Sequence, residues 1–399
     1  MRVRSFSGAR PGCAAVSPSL LARLLLEGAV IAAASLWLAG AAAASPWWGT
    51  KAHDLAGASV LPALPPFQSP LSRDHPLSGR LFDVRRGRFI APSGMLDAFS
   101  RVDLVLLGEQ HDNVDHHRLQ AWLIDAITRG GRRPRVVFEM IDVEKQSDVD
   151  RSLQVSPLGV DQLGAAVNWD KSGWPAFAIY RPVFATVISH HLPIVAAGLS
   201  RTRLAAADFK AAESAAGEDP ALRLELPRRL RDLMADDIVG SHCGYAHESM
   251  IAAMITVQRR RDVAMARALL AAGRGAGEGA VLVAGFGHSR ADYAVPMVLH
   301  ELDPSASVRS LGFIEALPGG DEPADYADAL RAEVLPFDYV WFTPRANDDD
   351  PCEKFRSQLE TMESKAGAKH AADGSADEPS ADGSAKHAAD GSAKGARPR

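Results

Sequence analysis

Short apolar runs alternate along this chain with stretches of helical periodicity, and this alternation constrains the fold more than any other feature. Four of the runs indicate buried β-strands, at 104–107, 135–138, 194–197 and 280–284. Strands separated by helical stretches usually pair in parallel. The block from 200 to 246 breaks the alternation and is largely helical in pattern. We therefore predict an α/β fold, with a mainly parallel sheet flanked by helices and a helical insertion over the C-terminal ends of the strands.

A short polar segment follows each of the four strands. Gly108–His111 and Gly285–His288 follow two of them, Glu139 ends a third, and Gly198–Arg203 follows the fourth. The carboxyl ends of parallel strands share one edge of a sheet, and ligand sites form there. We expect four side chains that are distant in sequence to meet at this edge: Glu109, His111, Glu139 and His288.

Two carboxylates and two imidazoles support two kinds of chemistry. They can bind a divalent metal such as zinc through oxygen and nitrogen ligands. They can also supply a general base and a partner that orients it, so the set suits a metal-assisted hydrolase. A structural role is the alternative, in which these groups cap helices or pair with Arg201, Arg203 or Arg290.

A second concentration of reactive side chains lies at 241–247, which contains two histidines, a cysteine and a tyrosine. Haem iron accepts a tyrosine or histidine ligand, and we predict that Tyr245 ligates it because tyrosinate favours ferric iron. Methionines in the next helix would suit a soft pocket, although they equally indicate ordinary core packing. Three residues are candidates to hold the haem propionates or the tyrosinate: His242, His247 and Arg201. Two other tyrosines remain alternative ligands: Tyr180 and Tyr293.

The start of the helix predicted at 115–129 is crowded with acids and histidines. We expect Asp112 or Asp115 to cap this helix, since carboxylates there bind free N–H groups and complement the helix dipole. His116 and His117 would point about 100° apart, so at most one of them can face the site. Other residues could line the edge of the site or pack in the core: Trp169, Trp174, Tyr180, Gln258, Arg261 and Asp262.

Both ends of the chain differ in composition from its body. Arginines followed by an apolar run at 28–40 and by small residues indicate a secretory signal peptide over 1–44, with an uncleaved anchor as the alternative. We expect an extended leader at 45–79, one domain at 80–362 and a disordered tail at 363–399, in which KHAADGSA occurs twice. A cleaved signal predicts an exported, periplasmic protein.

Charge and cysteine usage narrow the function further. The net charge is −5 and no basic stripe with interleaved aromatic residues is present, so nucleic acid binding is not expected. The sequence also lacks a P-loop, a G-x-S-x-G elbow and a complete G-x-G-x-x-G fingerprint. Cys243 and Cys352 would remain after removal of the signal, and an even pair in an oxidising compartment predicts a disulfide.

Seven segments, in order along the chain, resemble the ChaN family of bacterial haem-binding, iron-uptake-associated proteins. The segments are Gly108–Asn113, Phe138–Met140, Gly173–Pro175, His242–Gly244, Gln258–Asp262, Gly285–His288 and Asp350–Cys352. The resemblance runs from about 82 to 352, which is nearly the whole body of the chain. It implies an α/β core with a helical subdomain, and an exported protein that binds haem.

The resemblance also implies a second chemistry. ChaN is grouped with the Tiki and TraB proteins and the erythromycin esterases, in which the equivalents of the four strand-end residues are linked to metal binding or hydrolysis. ChaN proteins are often lipoproteins, but this chain lacks the lipidation cysteine, so we do not expect a lipid anchor. We expect a periplasmic protein that assists haem or iron uptake, with a haem-transport component as partner and a haem pocket shared in a homodimer.

Overall fold

The computed structural model describes residues 61–155, 159–206, 220–223, 225–244, 248–274, 278–350, 352–353 and 356. Eight strands in this part of the chain form one sheet. In chain order they are β1 (Leu81–Asp83), β2 (Arg88–Ile90), β3 (Leu104–Glu109), β4 (Arg135–Asp142), β5 (Ile194–Gly198), β6 (Ala280–Gly285), β7 (Val308–Glu315) and β8 (Tyr339–Thr343). Their spatial order is β2-β1-β8-β7-β3-β6-β4-β5.

Most of the sheet is parallel. The strands from β8 to β5 in the spatial order run parallel to their neighbours, and the β1–β2 hairpin joins β8 in antiparallel orientation. The helices are α1 (Pro92–Phe99), α2 (Val114–Arg129), α3 (Gln146–Leu153), α4 (Val160–Ala166), α5 (Phe177–Ser189), α6 (Arg201–Ala206), α7 (Arg228–Ser241), α8 (Glu248–Gly273), α9 (Ala294–Leu302) and α10 (Asp325–Ala329). The predicted α/β fold with a mainly parallel sheet is therefore confirmed.

Successive residues of β3 point to opposite faces of the sheet, and each face has its own core. Val105 and Leu107 pack in the cluster that contains α2 and α5 residues. Leu104 and Leu106 pack in the cluster that contains α8 and α9 residues. A strand that helices cover on both faces has no polar side, so it appears in the sequence as a continuous apolar run.

A smaller apolar cluster belongs to the predicted helical insertion. Met234 and Ile238 of α7 pack with Ile255 of α8 and with Tyr293, which precedes α9. Met234 and Ile238 also line a cavity together with residues that end β3 and β6. The insertion therefore lies over the C-terminal ends of the strands, as the sequence predicts.

Residues 61–79 contain no regular helix or strand, and they lie against the body of the protein. The buried Asp115 carboxylate of α2 accepts hydrogen bonds from the backbone N–H groups of Gln68, at 2.7 Å, and Ser69, at 2.8 Å. Leu77 is almost fully buried. This part of the predicted leader is therefore packed on the domain.

The predicted disulfide between Cys243 and Cys352 is present and joins residues 109 positions apart. It ties the segment after β8 to the C-terminal end of α7. None of the helices in the described part of the chain is both long and apolar enough to cross a membrane. The predicted signal peptide and the predicted disordered tail lie outside the described residues.

Candidate functional site

The four predicted residues meet at the C-terminal edge of the sheet. β3 and β6 are neighbours, with Glu109 opposite Gly285, and Glu139 lies on β4 at the other side of β6. His111 and His288 follow β3 and β6 directly. A Cβ atom on residue 285 would lie 2.9 Å from Nε2 of His111, so glycine at this position lets the imidazole approach the strand.

The Glu109 carboxylate is buried, with two hydrogen-bond partners at one oxygen and a further imidazole facing the other. Its Oε1 accepts a hydrogen bond from the Tyr180 hydroxyl at 2.8 Å and lies 3.0 Å from Nδ1 of His111. Its Oε2 lies 3.0 Å from Nδ1 of His117. Burial alone would raise the pKa of Glu109, but the charge of His117 and the hydrogen bond with His111 lower this pKa well below its usual value. Glu109 is therefore an anion that orients two imidazoles.

Asp262 and Glu139 hold His288 between them. Nδ1 of His288 lies 2.7 Å from Oδ1 of Asp262, and its Nε2 lies 3.4 Å from Oε1 of Glu139. Burial alone would lower the pKa of His288, but the charges of Glu139 and Asp262 raise it to about 10. Burial would likewise raise the pKa of Glu139, whereas His288 lowers it to about 2. This group is therefore an imidazolium between two acids, and the backbone N–H of Gly285 supports Glu139 at 2.8 Å.

The two tyrosines that the sequence offered as alternative iron ligands are engaged elsewhere. The buried Tyr180 hydroxyl donates to Glu109, and burial together with the charge of Glu109 raises the pKa of Tyr180 far above its ordinary value. The Tyr293 hydroxyl donates to the carboxylate of Asp237, and burial raises its pKa as well. Both hydroxyls are therefore engaged as hydrogen-bond donors to carboxylates.

The start of α2 places its two histidines as predicted but is capped by a different residue. His117 contacts Glu109, whereas His116 points away into the core, so only one of the pair faces the site. Nδ1 of His116 accepts the N–H of Gln110 at 2.8 Å, and burial lowers the pKa of His116 to about 3. The capping prediction was wrong, because the Asn113 side chain accepts the first N–H groups of α2 while Asp115 binds residues 68 and 69.

The cluster is not arranged as a metal site. Among the described residues, no group of three or more His, Cys, Asp or Glu side chains is placed to hold a metal ion. The physical reason is that the carboxylates of Glu109 and Glu139 already face imidazole nitrogens. Both ring nitrogens of His288 likewise face carboxylates, those of Asp262 and Glu139. The expectation of zinc therefore receives no support from this geometry.

A cavity of about 630 Å3 opens directly beside the cluster. Its polar lining includes residues at the strand ends and two residues of α8: Glu109, His111, His288, Gln258 and Asp262. Its other wall is largely apolar and includes Met234 and Ile238 of α7, with Phe286 and Leu330. The cavity is thus shared between the sheet edge and the helical insertion.

The residues predicted to bind haem lie at or just beyond the end of α7. Ser241 lines the cavity, and His242 ends the helix with its Nδ1 donating to the carbonyl of Ile238 at 2.8 Å. Tyr245 and His247 lie outside the described residues, and so does the side chain of Arg201. Of the segment predicted to bind haem, Ser241 is the described residue that lines the cavity.

Comparisons with known proteins agree with this architecture. A family model described as haem-binding uptake, Tiki superfamily, ChaN matches residues 95–299, a little over half of the chain. A solved structure of cofacial heme binding to ChaN of Campylobacter jejuni has a TM-score of 0.52 and 20% identity, and the match covers 65% of this chain and 95% of that chain. At this identity the likeness concerns the fold.

Two further structures match more distantly. The type III effector HopBA1 has a TM-score of 0.39 and 11% identity, and covers 71% of this chain and 99% of that chain. A mutant of the erythromycin esterase EreC in its open conformation has a TM-score of 0.36 and 15% identity, and covers 63% of this chain and 92% of that chain. No curated protein matches the chain.

Proposed function

The chain belongs to the haem-binding uptake family ChaN of the Tiki superfamily, and from this premise we propose that it binds haem and assists haem or iron uptake. The observation that carries the proposal is the cavity of about 630 Å3 between the strand ends and α7. Its volume lies within the roughly 300–1,000 Å3 of small-molecule pockets. It combines an apolar wall with polar groups, as a porphyrin with charged propionates requires.

The residues of this chain fit such a ligand. Met234 and Ile238 are apolar, nearly buried and directed at the cavity, so they can pack against a porphyrin face. When bound, haem supplies an iron that a tyrosinate can ligate. Tyr245 follows shortly after the cavity-lining Ser241, and the Cys243–Cys352 disulfide restrains the backbone between them. We assign iron ligation to Tyr245 on this basis. The residues proposed to hold the propionates or the tyrosinate are His242, His247 and Arg201.

A substitution of the ligand tests the assignment. Tyr245→Phe removes the phenol oxygen and keeps the ring, so the ferric spectrum of the haem-loaded protein should lose its tyrosinate charge-transfer band and haem affinity should fall at least tenfold (about 1.4 kcal/mol). Tyr339→Phe is the matched control, because Tyr339 lies on β8 and does not line the cavity. An unchanged spectrum and affinity in Tyr245→Phe would reject Tyr245 as the ligand while leaving haem binding itself intact.

We further propose that the protein works in the periplasm and pairs around haem. The pattern of residues 1–44 supports export, and the disulfide suits an oxidising compartment. The ChaN protein of Campylobacter jejuni binds heme cofacially, which supports a pocket shared by two copies of this chain. A haem-transport component of the periplasm or outer membrane would then receive the haem. Sedimentation with and without haem tests the pairing, and a mass that stays monomeric with bound haem would contradict it.

The charged cluster favours hydrolysis as a second candidate function. His111 lines the cavity with a side chain 35% exposed, and Glu109 holds its Nδ1, which leaves Nε2 for proton transfer to a substrate. The His288 imidazolium borders the same space and could stabilise a negative charge that develops during ester cleavage. This arrangement requires no metal.

Loss of one imidazole tests the hydrolase candidate. We expect a panel of activated esters to be hydrolysed by the wild type, and His111→Gln to lower the rate by roughly 10²–10⁴-fold, the usual contribution of a general acid–base group. His190→Gln is the control, since His190 pairs with Asp125 away from the cavity. Full activity in His111→Gln, or no turnover of any ester by the wild type, would eliminate this candidate.

A further inference from the structure

A second cavity, of about 380 Å3, lies on the opposite side of Glu139 from the first. Arg261 and Asp262 are successive residues of α8, so their side chains point about 100° apart. Asp262 lines the first cavity and Arg261 lines the second. Glu139 separates them, with its Oε1 3.4 Å from Nε2 of His288 and 3.8 Å from Nη1 of Arg261. The haem and hydrolase proposals leave this second space unused.

Two cationic side chains that line the second cavity can each accept a further anionic partner. The Nε atom of Arg261 is buried and has no hydrogen-bond partner among the described residues. The ion pair between Arg261 and Glu139 is long, and Glu139 already receives His288 and the backbone N–H of Gly285. Within the described part of the chain, Lys171 has no carboxylate at ion-pair distance. A carboxylate of a ligand would therefore find two donors.

One anion borders the same space. Asp142 ends β4 and is half-buried, and its carboxylate makes no hydrogen bond with the described residues. Burial and the neighbouring charge of Glu144 raise the pKa of Asp142, although the charges of Arg261 and Lys145 act in the opposite direction. An ammonium group would complete the partners of this carboxylate.

The remaining lining is small or apolar. Trp174 and Met265 face the cavity together with Leu199, and the edge of the Trp174 ring also packs on His111 with ring centres 4.8 Å apart. Three hydroxyl-bearing residues also line the cavity: Ser172, Ser200, which follows β5, and Thr202 in α6. A ligand in this space would thus meet an apolar surface beside the charged groups.

These charges select the class of ligand. A simple carboxylate would be attracted by Arg261 and Lys171 but repelled by Asp142. A simple amine would be attracted by Asp142 but repelled by Arg261 and Lys171. We propose that the second cavity binds a small zwitterion of the amino-acid type with an apolar side chain. Its carboxylate pairs with Arg261 and Lys171, its ammonium group pairs with Asp142, and its side chain packs on Trp174.

Calorimetric titration of the full chain with three related probes tests this proposal. L-leucine carries both charges. The probe 4-methylpentanoate keeps the carbon skeleton and the carboxylate of leucine but lacks the ammonium group, and 3-methylbutylamine keeps the ammonium group but lacks the carboxylate. We expect saturable binding of L-leucine, and binding at least ~tenfold weaker for the other two, because each loses a charge-assisted hydrogen bond.

Variants connect the binding to the cavity. Arg261→Met and Asp142→Asn should each weaken L-leucine binding at least ~tenfold. Arg260→Met is the matched control, since Arg260 is adjacent on α8 but lines neither cavity, and it should bind like the wild type. Circular dichroism verifies the fold of each variant, and Asp142→Asn at its half-buried position decides the outcome if Arg261→Met does not fold.

Three results would overturn the proposal. The first is the absence of saturable heat with all three probes at millimolar concentration. The second is wild-type affinity for L-leucine in the folded Arg261→Met or Asp142→Asn variant. The third is equal affinity for L-leucine and 4-methylpentanoate, which would make the site a simple carboxylate site. None of these measurements involves haem, so the outcome is independent of the haem proposal.

Discussion

Two buried histidines near the strand ends differ in charge, one cationic and one neutral, and their partners explain the difference. His288 lies between two carboxylates and is an imidazolium with a pKa of about 10. His116 lies between a backbone N–H and the hydroxyl of Thr343, and burial keeps it neutral with a pKa of about 3. Residue type alone therefore does not determine the charge of these sites.

The charge of His288 predicts a pH-dependent contribution to stability. Its folded pKa of about 10 exceeds the ordinary 6.5, so its ion pairs stabilise the fold fully below about pH 6.5 and this contribution is lost as the pH rises through 10. His288→Gln should reduce the free energy of unfolding by about 3–5 kcal/mol near pH 6, and by less at pH 10. Urea unfolding of both proteins measures the difference, and a difference that stays constant between these pH values would contradict the ion pairs.

At the level of single residues, the sequence predicted which side chains lie at the site, but it did not predict which of them pair with each other. Glu109 and His288 were expected at one edge because each follows an apolar run. The sequence also offers His117 and Asp262 as candidates for the site, but it does not identify their partners. Their contacts depend on how α2 and α8 rotate on the sheet, and tertiary packing sets that rotation.

Among the secondary-structure elements, β6 determines the position of His111, because its last residue, Gly285, has no side chain. A side chain at Gly285 would lie 2.9 Å from Nε2 and 3.0 Å from Cε1 of His111. Gly285→Ala should therefore displace the His111 ring from Glu109 and lower stability by about 1–3 kcal/mol, the usual cost of overpacking. Histidine NMR shifts and thermal unfolding report the two effects.

A neighbouring glycine provides the control for this prediction. A Cβ atom on Gly287 would meet nothing within 4 Å, so Gly287→Ala should leave His111 in place. If both substitutions changed the histidine shifts and the stability equally, the cause would be the lost backbone flexibility of glycine. The close approach of His111 to Gly285 would then not explain the effect. The approach itself could not be predicted, because it depends on the register that places Glu109 opposite Gly285.

For the whole molecule, the disulfide joins the helical insertion to the segment after the last strand. It closes a span of 109 residues, and native disulfides of this kind stabilise a fold by about 2–5 kcal/mol. A Cys243→Ser/Cys352→Ser double variant should unfold at a lower temperature and bind haem more weakly, because the backbone next to Tyr245 loses its restraint. The double variant should be insensitive to reductant, and a wild type whose melting temperature does not change on reduction would contradict this role.

The sequence predicted most of the architecture, but it did not predict how the helical insertion packs against the strand ends. Alternation of apolar runs and helices predicted the parallel sheet, and the irregular block at 200–246 predicted the insertion. The sequence left open whether the strand-end cluster and the segment around Tyr245 share a pocket. Within the described residues, Ser241 at the end of α7 and the strand-end cluster line one cavity, because α7 packs against α8 above the strand ends.

The measurement that tests the central claim most directly is a haem titration, followed by the Soret band, of the wild type, Ser241→Trp and Ser241→Ala. Ser241 is exposed and lines the cavity, so tryptophan there would fill the proposed haem space without disturbing the core, while alanine leaves the space open. We predict saturable haem binding by the wild type and Ser241→Ala, and loss of this binding in Ser241→Trp. Wild-type binding in Ser241→Trp would place haem elsewhere, and no saturable binding by the wild type would contradict the haem function.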